Sequence, residues 1–184
     1  MQTKHKLASL GLTMLLSLGA ASAIAQVMVG GASMYPTKDI IDNAVNSKDH
    51  TTLVAAVKAA GLVDTLKSPG PFTVFAPTNA AFAALPSGTV DTLLKPENKG
   101  TLTGILTYHV VSGKMDAAAL TAAIAAGGGK AMLKTVAGGT LTATASGGTV
   151  MLMDEKGGTS TVTTADVYQS NGVIHVVNKV LMPK

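Results

Sequence analysis

The chain has 184 residues, with no cysteine and no arginine, and its 14 lysines against ten acidic residues give a formal charge of +4. This length fits one domain. The lack of cysteine excludes disulfides, reactive thiols and thiolate metal sites. The small charge and the lack of arginine argue against nucleic-acid binding, because recognition of phosphate and guanine relies heavily on arginine.

Residues 1–25 have the order of a secretory signal peptide. Lys4 and Lys6 precede an apolar run at 7–18, and two overlapping A-x-A cleavage sites follow at 21–25. The apolar run is shorter than the roughly 20 residues that a membrane span needs, and no later stretch is apolar enough. We therefore expect a secreted protein, periplasmic or extracellular, with no membrane span after signal removal and a mature charge of +2, from twelve lysines and ten acids.

The first half of the mature chain predicts helices. Residues 26–35 are rich in Gly, Met and Ser without periodicity, so we expect a flexible leader before a single domain at 36–184. Beyond it, apolar residues recur at helical spacing, bounded by capping residues, Gly or Pro, and Phe72–Ala76 interrupts them as a strand. The helical segments lie at about 37–44, 49–60, 80–85, 89–95, 102–106 and 115–126.

The second half predicts strands. Apolar and β-branched runs alternate with glycine pairs, and the Ser-Asn-Gly sequence at 170–172 is typical of a tight turn in which Gly172 would supply a positive φ. Met132 and Met153 fall on these strand patterns, which favours packing in the core. Helices first and strands later indicate an α+β fold. The predicted strands are 132–136, 140–144, 149–153, 160–164, 173–177 and 180–182.

Catalytic and metal-binding patterns are not found in the sequence. The histidines of the mature chain, His50, His109 and His175, are far apart, and no G-x-S-x-G elbow or P-loop is present. A zinc site needs three or four clustered ligands. The acidic sequence at 154–156, just before a glycine pair, predicts a solvated hairpin tip. We predict no enzyme activity, no cofactor and no metal.

Three motifs resemble a known family at its spacing. They are the segment 73–82 (TVFAPTNAAF), the pair Tyr108-His109 after an apolar helix, and the segment 171–177 (NGVIHVV) followed by 180–183 (VLMP). Together they resemble the fasciclin (FAS1) domain family over residues 36–184. The family often has Asp where this chain has Asn at 178.

This resemblance implies a FAS1-type β-wedge of antiparallel strands with a helical layer from the N-terminal half. It also implies an adhesion or interaction module that binds protein, matrix or polysaccharide partners on cell surfaces. Two pairs are the implied partner-binding residues: Tyr108 with His109, and Asp166 with Val167, where Val replaces the family's Ile.

Two alternatives stay open at the level of sequence. His109 could instead be a half-buried residue that holds the helix-to-strand junction by a hydrogen bond. The whole domain could be a periplasmic carrier of a small apolar ligand or sugar. A carrier encloses its ligand in a concave site, whereas an adhesion module uses a flatter exposed patch.

Overall fold

A computed structural model describes residues 26–184 of the chain, so the expected signal peptide lies outside the described residues. Within this range the chain forms helices in its first half and most of its strands in its second half, as the sequence predicts. The α-helices of the described range are α1 (Ile40–Ala44), α2 (Thr51–Ala60), α3 (Val63–Lys67), α4 (Asn79–Ala83), α5 (Thr89–Leu93), α6 (Lys99–Tyr108) and α7 (Ala117–Ala126).

The helix ends follow local chemistry. The carboxylate of Asp116 accepts a hydrogen bond from the Ala119 amide at 2.8 Å and so caps the start of α7. Thr78 caps α4 in the same way through the Ala81 amide. Helix α2 ends where Gly61 takes the left-handed conformation, with φ of 72°.

The strands form a two-stranded hairpin and a seven-stranded sheet. The sheet has the order β4-β3-β9-β8-β7-β6-β5. The strands are β1 (Met28–Val29), β2 (Ala32–Ser33), β3 (Phe72–Pro77), β4 (Val110–Ser112), β5 (Lys130–Lys134), β6 (Thr140–Ser146), β7 (Thr149–Met153), β8 (Thr159–Gln169) and β9 (Gly172–Val177).

The expectation of a flexible leader at 26–35 is wrong. This segment forms the β1–β2 hairpin, and the Met34 amide donates to the Val27 carbonyl at 2.9 Å. Val29 and Met34 are buried in the core. Strands of two residues show no periodicity, so the sequence pattern could not reveal this hairpin.

One pair of strands departs from the antiparallel expectation. β3 and β9 are parallel over their full lengths, and the other pairs of the sheet are antiparallel. Gly172 has a role different from the predicted positive φ, because it is not among the left-handed glycines of the chain. A Cβ atom there would lie 2.1 Å from the Phe72 carbonyl oxygen, so only glycine permits the close approach of β3 and β9.

The two ends of the sheet meet at one point. Val111 of β4 pairs with Thr135, just after β5, and the Val136 amide donates to the Val110 carbonyl at 2.8 Å. The sheet therefore curls towards a barrel that is closed beside Thr135 and open along β5. Helix α7 packs against β5, β6 and β7.

The described residues bury two hydrophobic clusters. The first lies between the helices and the sheet, and it includes Ile41, Val57, Leu106 and Ile174. The second lies within the curled sheet under α7. Its largest fully buried side chains are Phe75, Tyr108, Leu120, Leu141, Leu152 and Leu181. The helical layer and the wedge thus each have a core.

Two predictions near the C-terminus are also corrected. Residues 180–182 do not form a strand, because side chains bind their amides: Leu181 donates to Nε2 of His109 at 2.9 Å and Met182 to Asp154 at 3.0 Å. Asp154, expected at a solvated tip, is buried and also accepts the amides of Lys156 and Gly158.

Candidate functional site

Tyr108 ends α6 and lies wholly inside the second core, with 0% of its surface exposed. Its hydroxyl donates to the Thr140 carbonyl at 2.8 Å and accepts from the Glu155 amide at 3.1 Å. The ring lies against Gly139, where an added Cβ would come within 2.7 Å of it. Burial raises the pKa of the Tyr108 hydroxyl. Tyr108 therefore ties α6 to the ends of β6 and β7.

His109 is buried beside it, with 2% of its surface exposed. Nε2 accepts a hydrogen bond from the Leu181 amide, so the proton of the neutral ring is on Nδ1, which donates to the Ile105 carbonyl at 2.8 Å. Burial lowers the pKa of His109 to about 4. The ring holds the C-terminal segment against α6, which supports the structural interpretation of this residue.

Asp166 and Val167 belong to β8, and Asp166 contacts the first residue of α7. Asp166 has a φ of 58°, a conformation that L-residues other than Asn and Asp rarely adopt, and its carboxylate accepts from the Ala117 amide at 2.7 Å. Its own amide donates to Nδ1 of His175 at 3.4 Å. Val167 packs in the first core. Asp166 thus anchors the start of α7 to the sheet, whereas Val167 packs against the helical layer.

The structure does not bring the four predicted residues together as one surface. Tyr108, His109 and Val167 are core residues in this conformation, so the expected binding face of the Tyr-His pair is not accessible. Asp166 is half-buried, and a binding role for it stays a prediction. Tyr108 and His109 stand where α6 turns directly into β4, the edge strand that bridges to Thr135, and both side chains are buried there.

Two open grooves of the described surface border β5. Met132 is 78% exposed, which corrects its expected place in the core. A groove of about 380 Å³ runs between β5, the 111–115 segment and Ala123 of α7, and a second depression of about 470 Å³ continues it past Lys130. The alternation of β5 could have revealed this position, because Ala131 and Leu133 are the buried residues on either side.

The first core contains a small apolar cavity of about 40 Å³ between the helices and the sheet. Isoleucine, leucine and valine side chains make up most of its lining, with His50 and His109 at its edge. Between residues 26 and 184, no His, Asp and Glu side chains gather in a group that could hold a metal ion.

Helices in the described part of the chain are all too short or too polar to cross a bilayer. Burial also lowers the pKa of His50 and of His175, the latter stacked on Phe75 with a ring separation of 5.7 Å. The Nε2 atom of His175 lies 2.8 Å from the Met115 carbonyl, to which it donates. His109 and His175 therefore have structural roles, whereas Nε2 of the buried His50 has no hydrogen-bond partner within residues 26–184.

The chain is similar in sequence to known bacterial proteins. The chain is 45% identical over 157 residues to the protein sll1483 of Synechocystis, covering 85% of this chain and 79% of that protein. It is 36% identical over 169 residues to the immunogenic protein MPB70 of Mycobacterium bovis, covering 89% of this chain and 77% of that protein.

A solved structure has the same fold. It is a pair of FAS1 domains from the insect cell adhesion molecule Fasciclin I, with a TM-score of 0.69 and 18% identity over 79% of this chain. The match covers 51% of that two-domain chain, so this chain spans about half of its length. A family profile described as Fasciclin domain matches residues 48–183. The chain therefore belongs to the fasciclin domain family.

Proposed function

We propose that this protein is a secreted interaction module that binds protein, matrix or polysaccharide partners at cell surfaces and has no catalytic activity. The observation that carries the proposal is the contrast between the interior and the surface of the described domain. Its apolar cavity measures about 40 Å³, whereas the open grooves beside β5 measure about 380 and 470 Å³. Both grooves are open to solvent and enclose nothing, which suits a macromolecular partner better than a small ligand that must be mostly buried.

The alternative function as a carrier receives less support from the same contrast. Sites for small molecules are usually enclosed volumes of about 300–1,000 Å³. The cavity near His50 is far below that range, and its lining is almost entirely apolar. A sugar would need several convergent polar groups, whereas the only polar residues in this lining are Ser47, His50 and His109, and of their buried side-chain atoms only Nε2 of His50 lacks a hydrogen-bond partner among the described residues.

Family membership supports the interaction role independently. The structurally similar Fasciclin I is named as a cell adhesion molecule. The extracytoplasmic location is supported by the signal-like sequence at 1–25. The lack of cysteine is compatible with it, since a domain with two packed cores needs no disulfide to fold outside the cytoplasm.

Binding to intact cells tests the proposal. Purified 26–184 carrying a fluorescent label should bind to cells of the producing organism in a saturable way and be displaced by unlabelled protein. Protease treatment of the cells should abolish binding to a protein partner, and periodate treatment should abolish binding to a polysaccharide. Native mass spectrometry of the purified protein tests the alternative function as a carrier, because a carried small ligand would add its mass to that of the protein. A stoichiometric small ligand in that spectrum, together with no saturable cell binding, would contradict the proposed function.

A further inference from the structure

We infer that the open edge of β5 binds an extended acidic segment of a partner protein, which pairs with Met132 and adds a strand to the sheet. The inference deepens the proposed interaction role and rests on it for the presence of a partner. It arises from three observations: the direction of the free backbone groups of β5, the shape of the groove beside it, and the charge on its outer face.

Within residues 26–184, β5 has a neighbouring strand on one side only. In an antiparallel ladder, residues that exchange hydrogen bonds with the neighbouring strand alternate with residues whose groups point away from it. The Thr135 amide donates to Gly139 at 2.9 Å, and the register then gives Leu133 and Ala131 bonds to β6. Met132 between them directs its N–H and C=O groups away from β6, into the groove.

Both ends of this edge are occupied by the chain itself. After β5, the Val136 amide bonds to Val110 and closes the barrel. Before β5, the carbonyl of Lys130 lies so close to Gly127 that a Cβ there would be 1.9 Å away. The open edge is therefore short and centred on Met132, which limits pairing to a few residues of a partner.

The groove fits the side chains of an added strand. Its floor is formed by Val111, Met115 and Ala123, so inward-facing side chains of the partner would meet apolar surface. The outward-facing side chains would lie beside Lys130, Met132 and Lys134, which are all exposed. An extended segment that alternates small apolar and acidic residues matches both faces.

Charge decides which partner the edge accepts. Lys130 and Lys134 are the only charged residues of β5, β6 and β7, and the facing residues of β6 are threonines. A second copy of β5 paired antiparallel about Met132 would place Lys130 opposite Lys134, where like charges repel. Lysines on an edge strand thus prevent self-pairing, and they attract carboxylates.

Peptide titration of the chain 26–184 tests this inference. The probe is a ten-residue peptide of alternating Glu and Val, and the matched peptide has Lys in place of Glu. We expect the Glu peptide to bind and the Lys peptide not to bind. Added salt should weaken the binding of the Glu peptide, because exposed charges are screened within about 8 Å at 0.15 M. The double variant Lys130→Glu/Lys134→Glu should lose about tenfold or more in affinity, the equivalent of 1.4 kcal/mol. The control Lys58→Glu/Lys95→Glu, on exposed residues of the helical side, should bind as the wild type does.

Two further measurements isolate strand pairing from charge. Met132→Pro removes the outward-facing N–H while leaving the bonds to β6, which is where an edge strand tolerates proline. It should abolish binding with little change in the thermal midpoint. A Glu-Val peptide in which alternate backbone amides are methylated lacks the donors for strand pairing, so it should not bind to the wild type. This test remains valid if Met132→Pro unfolds the domain, because the protein itself is unchanged.

The outcomes separate this inference from the proposed function. No binding of the Glu peptide, or binding that survives both backbone blocks, overturns the strand pairing. An acidic polysaccharide that binds to the wild type and equally to Met132→Pro would also overturn it, since attraction to lysines alone would explain that result. If cell binding persists in the β5 variants, the interaction role stands without this edge. If the peptide binds but cells do not, the edge stands and the proposed function fails.

Discussion

At the scale of single residues, the most informative side chains are Tyr108 and His109, for which the family resemblance implies partner binding and which the fold buries. Tyr108 and His109 each satisfy two hydrogen bonds inside the domain. A buried polar group that loses its partner costs about 1–3 kcal/mol, whereas an exposed one costs little. Their contribution to stability is therefore measurable without knowing any partner.

Removal of the Tyr108 hydroxyl should destabilise the domain. Tyr108→Phe leaves the Thr140 carbonyl and the Glu155 amide without their partner, and we expect a loss of about 1–3 kcal/mol in the free energy of unfolding by urea denaturation. Tyr108→Ala should cost about 3–5 kcal/mol because a cavity is added. Tyr35→Phe, at a ring on the surface, is the control and should change the value by less than about 0.5 kcal/mol. Equal effects at both tyrosines would contradict the assigned hydrogen bonds.

The buried histidines predict a pH dependence of stability. The pKa of His109 is about 4 in the folded state and near the ordinary value of 6.5 in the unfolded chain. Between these values the unfolded chain binds a proton that the folded chain does not, so stability is full above pH 6.5 and falls as the pH is lowered towards 4. One histidine contributes a slope of up to about 1.4 kcal/mol per pH unit. His50 and His175 act in the same direction.

The variant His109→Gln isolates this contribution, because its amide can donate and accept but does not titrate. Urea denaturation at several pH values from 7.5 to 4.5 should show a smaller slope for the variant, whatever its absolute stability. Identical slopes in the two proteins would show that His109 does not titrate between the two states in this window.

At the scale of elements, the hairpin β1–β2 is the part that the sequence did not predict. Its strands are too short for an alternating pattern, and its place in the core depends on contacts with α1 and with the turn at 48–50. By contrast, β7 matches its predicted bounds of 149–153, because glycine turns on both sides fix a short alternating run. Turns and strand ends set by local residues were predictable from the sequence, whereas packing between distant segments was not.

Met34 tests the structural role of the hairpin. Met34→Ala should lower the free energy of unfolding by about 2–5 kcal/mol, since the side chain is buried against the helical layer. Met28→Ala, six residues earlier and mostly exposed, removes the same atoms and should cost less than about 0.5 kcal/mol. Urea denaturation of the two variants measures both. A small effect of Met34→Ala would restore the original expectation that this segment does not belong to the packed domain.

At the scale of the whole molecule, the sequence predicted the α+β class and the family, and it missed how the sheet closes. The parallel pairing of β3 with β9 joins residues about 100 positions apart, and neither strand carries a local signal for its direction. The single bridge from Val111 to Thr135 depends on the curl of the entire sheet. The burial of Tyr108 and His109 has the same reason, because both lie next to β4, where this closure takes place. Partner binding by the four named residues stays a prediction.

The described domain starts next to the expected signal peptide, which predicts where the chain is cleaved during export. Val27 packs against the first core, so the described domain extends to within two residues of the candidate cleavage sites at 21–25. Export should remove 23 or 25 residues, which mass spectrometry of the protein from the medium or the envelope can measure. Ala23 is a required small residue of both A-x-A sites. Ala23→Asp should therefore accumulate the uncut precursor, whereas Ile24→Leu should be processed normally. A mature protein that retains Met1 would contradict export by this route, and the hairpin would then have to fold with the apolar run still attached.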